Sequence, residues 1–231
     1  MKIILFLVCV LSAGMPVLVQ RTGLSGKYGF KMKMLCAGMY LLTGALAAIT
    51  FSAGSLYTFL ILAALLCGVL GDFLLSYKNE RYFLLGVIFF ALGHVVYSIA
   101  FLAAGEHKAV AHIIPVAVFS VVMAFLLFLL AKAKLRLGKL QLPLLLYGTV
   151  LFFFFACAVT KGVMAISAGN LFFGLLLMAG AVLFIASDMM LGVQIGGVKL
   201  PKLLRHMVSY TYFPAQTLFA LSIFFQTLIN G

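Results

Sequence analysis

The chain holds two aspartates, Asp72 in LCGVLGDFLLSYKNER and Asp188 in LFIASDMMLGVQIGG, and each stands near the end of a long apolar run. An ionised carboxylate at the centre of a membrane-spanning helix costs about 2.5–3.5 kcal/mol on insertion scales, and less toward the interface, so each must face protein rather than lipid. Taken singly, either aspartate could be an ion-pair partner for Lys78, Arg81 or Lys199. Ser76 one turn after Asp72, and Ser187 beside Asp188, could then add a hydrogen bond. Taken together, two carboxyl groups that converge repel one another when both are charged, which favours one protonated and one ionised. Such a pair can give a proton and take one. Which member keeps the proton is not readable from residue order, because it depends on the donors around each.

Other polar residues fall at membrane depth. His94 lies about 18 Å along its apolar run, in the stretch GHVVY, with Tyr97 on the same helix face. Gln216 follows Tyr210 and Tyr212 in SYTYFPAQTL. A histidine or glutamine inside a span commonly hydrogen-bonds a neighbouring helix, and Tyr82, Tyr210 and Tyr212 suit the aromatic belt at a membrane interface. Cys9, Cys36, Cys67 and Cys157 stand singly with no C-x-x-C spacing. His94, His107, His112 and His206 form no H-x-x-x-H or H-E-x-x-H pattern, so neither a metal nor another cofactor is expected.

The elements that must position these residues follow from composition. Of the 231 residues, 66% are hydrophobic and only 9% charged, with a mean hydropathy of +1.27. That is the composition of a chain solvated by lipid, and it implies one polytopic membrane domain. Crossing the hydrocarbon core takes roughly 20 apolar residues. Runs of that kind cover Ile3–Val19, Met34–Phe51, Leu56–Leu75, Tyr82–Ala103, His112–Ala131, Leu142–Thr160, Leu171–Leu191 and Tyr210–Ile229. They lack the alternation of barrel strands, so an all-α protein of eight transmembrane helices is expected. Met1-Lys2, an apolar stretch and Leu11-Ser12-Ala13-Gly14 also resemble a secretory signal, but apolar residues continue to Val19, which favours a retained helix.

Basic residues alternate from loop to loop. Arg21, Lys27, Lys31 and Lys33 follow the first run, Lys78 and Arg81 the third, Lys132, Lys134, Arg136 and Lys139 the fifth, and Lys199, Lys202 and Arg205 the seventh. Only Lys2, Lys108 and Lys161 fall on the other side. By the positive-inside rule the odd-numbered loops face the cytoplasm and both termini face away from it. The net charge of +12 then suits an anionic membrane leaflet and does not imply nucleic-acid binding. In this arrangement Asp72 lies about 24 Å beyond Leu56, and Asp188 about 25 Å beyond Leu171, on spans running the same way. Both are expected at similar depth, just inside the cytoplasmic edge. Gly68, Gly71, Gly86, Gly93, Gly174, Gly180 and Gly192 suit close helix packing, and Pro115, Pro143 and Pro214 suit helix starts or kinks. The two aspartates sit four spans apart, as a faint repeat of two four-span halves would place them.

The motifs GDFLL, FLLGVIFFALGHVVYSIAF, SDMMLGV and YFPAQTLFALS, in that order between Cys67 and Ser222, resemble the YhhN family of eight-span membrane proteins. The resemblance implies a lysoplasmalogenase, which hydrolyses the vinyl ether of a lysoplasmalogen to a fatty aldehyde and a glycerophospho-base. It maps the family's paired aspartates onto Asp72 and Asp188, and His94 and Gln216 onto motif positions. A lysophospholipid substrate among membrane lipids is then the expected partner. Short loops suit a bacterial inner membrane, and a eukaryotic internal membrane would obey the same physics. Its tail would lie between helices, with His94, Tyr97, Gln216 and Tyr212 shaping the pocket beside Ser76, and with Lys78, Arg81, Lys199 and Lys202 near the phosphate. The alternative is a proton- or cation-coupled transporter using the same aspartates, although transporter sites usually sit at the midplane.

Overall fold

A computed structural model of the protein describes residues 2–21, 24–51, 55–77, 79–103, 141–195 and 201–227, with isolated positions between 114 and 123. Seven helices are described: α1 (Lys2–Arg21), α2 (Leu24–Phe51), α3 (Leu56–Leu74), α4 (Glu80–Ala103), α5 (Gln141–Ser167), α6 (Leu171–Ile195) and α7 (Lys202–Thr227). No strand occurs among the described residues. The expected span His112–Ala131 lies largely outside them.

Among the described residues, five stretches are long and apolar enough to cross a membrane: Gly29–Thr50, Leu56–Leu74, Glu80–Ala103, Leu142–Ser167 and Leu171–Ile195. α1 carries a shorter apolar stretch, Ile3–Val19. Helices are the form such segments take, because hydrocarbon offers backbone groups no outside partner. Large apolar side chains point outward, Ile49, Phe59, Phe172 and Leu142 among them, as befits a surface wetted by lipid. The protein is a multi-pass integral membrane protein.

Two helices begin well before the apolar runs that announced them. α2 starts at Leu24 rather than Met34, and α7 at Lys202 rather than Tyr210. Hydropathy discounts the basic stretches GKYGFKMK and KLLRHMVS, but a helical backbone bonds to itself whatever its side chains, so the helix continues through them. Pro214 accordingly lies inside α7 and not at its start.

α3 packs on α4, α4 on α5, α5 on α6 and α6 on α7, while α7 also touches α1, α2 and α3. α7 thus closes the bundle from within, although it is not among the five strongly apolar stretches. Its polar residues explain both facts. Thr211, Tyr212, Gln216, Thr217, Ser222 and Gln226 are all buried, and Tyr212, Gln216, Thr217 and Ser222 find hydrogen-bond partners on other helices. Ser12 of α1 shares a hydrogen bond with Thr217 at 2.7 Å, and Tyr57 of α3 one with Ser222 at 2.6 Å. α1 is therefore held in the bundle as a packed helix.

The tightest described turn joins α5 to α6. Gly169 adopts φ 87°, the left-handed conformation that closes a helix C-terminus, and Asn170 caps α6 by accepting from the Phe173 N–H at 3.2 Å.

Candidate active site

Asp72 occupies the last turn of α3 and is 2% exposed. A helix C-terminus carries partial negative charge, so a carboxylate there calls for donors and a cation. Lys33, from the basic stretch that opens α2, supplies both. Its Nζ lies 3.1 Å from Asp72 Oδ1 and donates at 3.1 Å to the main-chain carbonyl of the same residue. Ser76 Oγ donates to that carbonyl at 2.7 Å. Tyr212 of α7 donates its hydroxyl hydrogen to Asp72 Oδ2 at 2.9 Å, and the Tyr40 hydroxyl of α2 approaches the same oxygen at 3.5 Å.

A second layer stands behind these hydroxyls. Gln216 Nε2 donates to the Tyr212 oxygen at 3.2 Å, and the Tyr97 hydroxyl of α4 donates to Gln216 Oε1 at 2.7 Å. Glycine makes the approach possible. A Cβ at Gly68 would stand 2.7 Å from Gln216 Nε2 and 3.0 Å from the Tyr40 oxygen, and one at Gly71 would stand 2.7 Å from the Phe90 ring. A side chain at either position would push the polar cluster or α4 away from α3.

Asp188 lies on α6 and accepts a hydrogen bond from the Tyr147 hydroxyl of α5. No ion pair to Asp188 occurs among the described residues. Both aspartates line a cavity of about 530 Å³, together with Lys33, Tyr147, Ser209 and Tyr212. Its remaining walls are mostly apolar, with Phe83, Val87, Phe90, Leu144 and Phe152 among them. The arrangement of a few convergent polar groups within an apolar cleft of this size is that of a small-molecule site.

Asp72 and Asp188 thus line one cavity, and Tyr212 stands with them. Ser76 contributes to the main chain of Asp72 and not to its carboxyl, and Ser187 donates instead to the Val208 carbonyl at 3.1 Å. Arg81 is exposed and lies apart from the cavity lining. Lys78 and Lys199 lie outside the described residues, and Lys202 is described only as the first residue of α7. Tyr97 and Gln216 are buried behind Asp72, off the cavity wall. His94, 1% exposed, is ringed by Tyr147, Phe154 and Phe184 with ring centroids 4.8–5.7 Å away. Its Nδ1 lies 2.6 Å from the Phe90 carbonyl, which can only accept, so Nδ1 carries the hydrogen and Nε2 has no partner among the described residues.

Lys33, Tyr40 and Tyr147 escaped the sequence as partners of the two aspartates. Lys33 was assigned to a loop by its charge, and Tyr40 and Tyr147 sit in apolar runs whose other hydroxyl residues are threonines, with no charge to mark them. The available signal was the helical period, since Lys33 and Tyr40 are seven residues apart and so share one face of α2. Among the described residues, no three His, Cys, Asp or Glu side chains cluster as metal ligands would.

No curated protein and no solved structure matches the chain. The family model of the YhhN family does match, over residues 27–223, which takes in α3, α4, α5, α6 and nearly all of α7. With the aspartate cavity lying inside that match, the chain belongs to the YhhN family.

Proposed function

We propose that this protein is a membrane hydrolase that cleaves the vinyl ether bond of a lysoplasmalogen, with Asp72 and Asp188 as its acid/base pair. The observation that carries the reading is the meeting of two intramembrane carboxyl groups in one largely apolar cavity that also holds a cation. A single-chain lipid suits such a cavity, with its tail along the aromatic wall and its polar end toward Lys33. The basic residues of the odd-numbered loops put that end at the cytoplasmic side.

The chemistry needs a proton donor and a charge, which the pair supplies. The protonated carboxyl gives its proton to the outer carbon of the double bond, and the carbon bearing oxygen becomes an oxocarbenium cation. The ionised carboxylate stabilises that cation, and water adds to it while losing a proton to a carboxylate. The resulting hemiacetal breaks its carbon–oxygen bond, and its hydroxyl hydrogen passes to the departing glycerol oxygen. One water is consumed, and the products are a fatty aldehyde and a glycerophospho-base.

The test is aldehyde release from lysoplasmenylcholine and lysoplasmenylethanolamine by the purified protein in detergent, with a saturated ether lipid as control. Release that requires the vinyl ether and both aspartates supports the hydrolase. A folded preparation that releases no aldehyde from either substrate overturns it.

A further inference from the structure

We propose that the two carboxyl groups are divided before any substrate arrives: Asp72 holds the charge, Asp188 holds the proton, and Gln216, anchored by Tyr97, is the positioning residue that maintains the division. The use of this division in catalysis rests on the acid/base reading above, whereas the division itself is set by the protein's own side chains.

The argument starts from what each neighbour can give or take. The Lys33 ammonium has hydrogens and no lone pair, and it occupies Asp72 Oδ1 at 3.1 Å. The Oδ2 atom faces two hydroxyls, from Tyr212 at 2.9 Å and Tyr40 at 3.5 Å. A hydroxyl can turn either way, so its direction depends on what stands behind it. Behind Tyr212 stands Gln216 Nε2 at 3.2 Å, an amide nitrogen that only donates. The Tyr212 oxygen therefore accepts from Gln216, and its own hydrogen goes forward to Asp72. In this orientation Oε1 accepts the Tyr97 hydrogen at 2.7 Å, so both ends of the amide are bonded. All these hydroxyl and amide groups are buried, with Tyr97 2%, Gln216 1% and Tyr212 6% exposed, so no bulk water competes for them.

Every hydrogen in the chain from Tyr97 to Asp72 thus points toward the carboxylate. The opposite amide orientation would draw the Tyr212 hydrogen onto Oε1 and set a bare phenolic oxygen against Oδ2, an environment that suits a protonated carboxyl. Gln216 is accordingly the pivot on which the charge state of Asp72 turns. Asp188 is in the other situation. Its described partner is one neutral hydroxyl, that of Tyr147, and it shares the cavity with the charge already on Asp72. A second charge without a cation, between apolar walls, is the costlier arrangement, so Asp188 retains its proton. As the general acid it faces the cavity with a hydrogen to give, while Asp72 is the fixed negative charge.

Infrared difference spectroscopy of the purified protein without substrate tests this, because the carbonyl stretch of a protonated carboxyl group stands apart from the carboxylate bands. The wild type should show one protonated aspartate band, identified by its shift on isotope labelling of aspartate side chains, and Asp188→Asn should abolish it. Adding Gln216→Leu to Asp188→Asn leaves Tyr212 without the donor behind it and should shift the carboxylate bands of Asp72, the one aspartate that remains. Tyr147→Phe, which leaves both aspartates in place, should shift the wild-type band. A band that survives Asp188→Asn, or that ignores Tyr147→Phe, overturns the assignment of the proton to Asp188. A double variant whose Asp72 carboxylate bands match those of Asp188→Asn alone overturns the role of Gln216. Since the spectra need no substrate, missing aldehyde release would sink the hydrolase while the division still stood or fell on its own bands.

Discussion

Asp72 and Asp188 differ in what surrounds them, and the difference sets what each substitution should do. Replacing either with Asn keeps its size and removes its proton chemistry, so turnover should fall by about 10²–10⁴-fold, the usual worth of a positioned acid or base. Aldehyde release measured on folded variants checks this, and near-normal rates in both would end the acid/base assignment. Lys33 makes a different kind of prediction. Lys33→Met strands a buried carboxylate, while Lys33→Met with Asp72→Asn removes both charges, so the double variant should be more stable than the sum of the singles. The coupling should be about 0.5–3 kcal/mol, below the full penalty for an orphaned buried charge because Lys33 keeps 31% of its side chain exposed. Thermal unfolding in detergent of the four proteins measures it, and additive effects would show the ion pair to be inconsequential.

At the scale of elements, α7 organises the site by hydrogen-bonding to its neighbours. It reaches α1 through Thr217, α2 and α3 through Tyr212, α3 again through Ser222, and α4 through Gln216. α3 can lie against this polar face only because Gly68 has no side chain. Gly68→Ala should therefore cost about 1–3 kcal/mol of stability by overpacking and weaken aldehyde release by displacing Gln216. Gly192→Ala is the control, since a Cβ there meets nothing within 4 Å, and it should leave stability level or raise it by roughly 0.5–1 kcal/mol. Equal unfolding temperatures for the two variants would mean that the contact at Gly68 relaxes freely.

For the molecule as a whole, the basic loops carry a prediction about sidedness. In a variant without native cysteines, Asn79→Cys in the α3–α4 connection should react with a membrane-impermeant thiol reagent only after the cells are opened. Ala168→Cys in the α5–α6 turn should react in intact cells. Both residues are exposed, so reactivity reports the side of the membrane. The reverse pattern would invert the orientation and put the polar end of the cavity on the outer face.

Composition and run length determined the class of this protein, because burying apolar side chains in lipid leaves little choice of backbone: all-helical, multi-pass, with spans such as Leu56–Leu74 and Leu171–Ile195 close to where the apolar runs lie. The two aspartates were also conspicuous, as the cost of charge at that depth marks them whatever the fold. Helix starts were not legible where charge interrupts the pattern, and so Lys33 read as loop and its pairing with Asp72 was hidden. Of the cations chosen from sequence neighbours, Arg81 is exposed and Lys78 and Lys199 lie outside the described residues, whereas Lys33 reaches Asp72 from α2, because helices that are not close in the chain pack side by side in the bundle. The tertiary structure alone decided that Tyr97, Gln216 and Tyr212 form one directed chain ending on Asp72, and that Asp188 meets only Tyr147 among the described residues. Hydrogen-bond direction depends on which groups face each other across helices, and residue order carries no record of that.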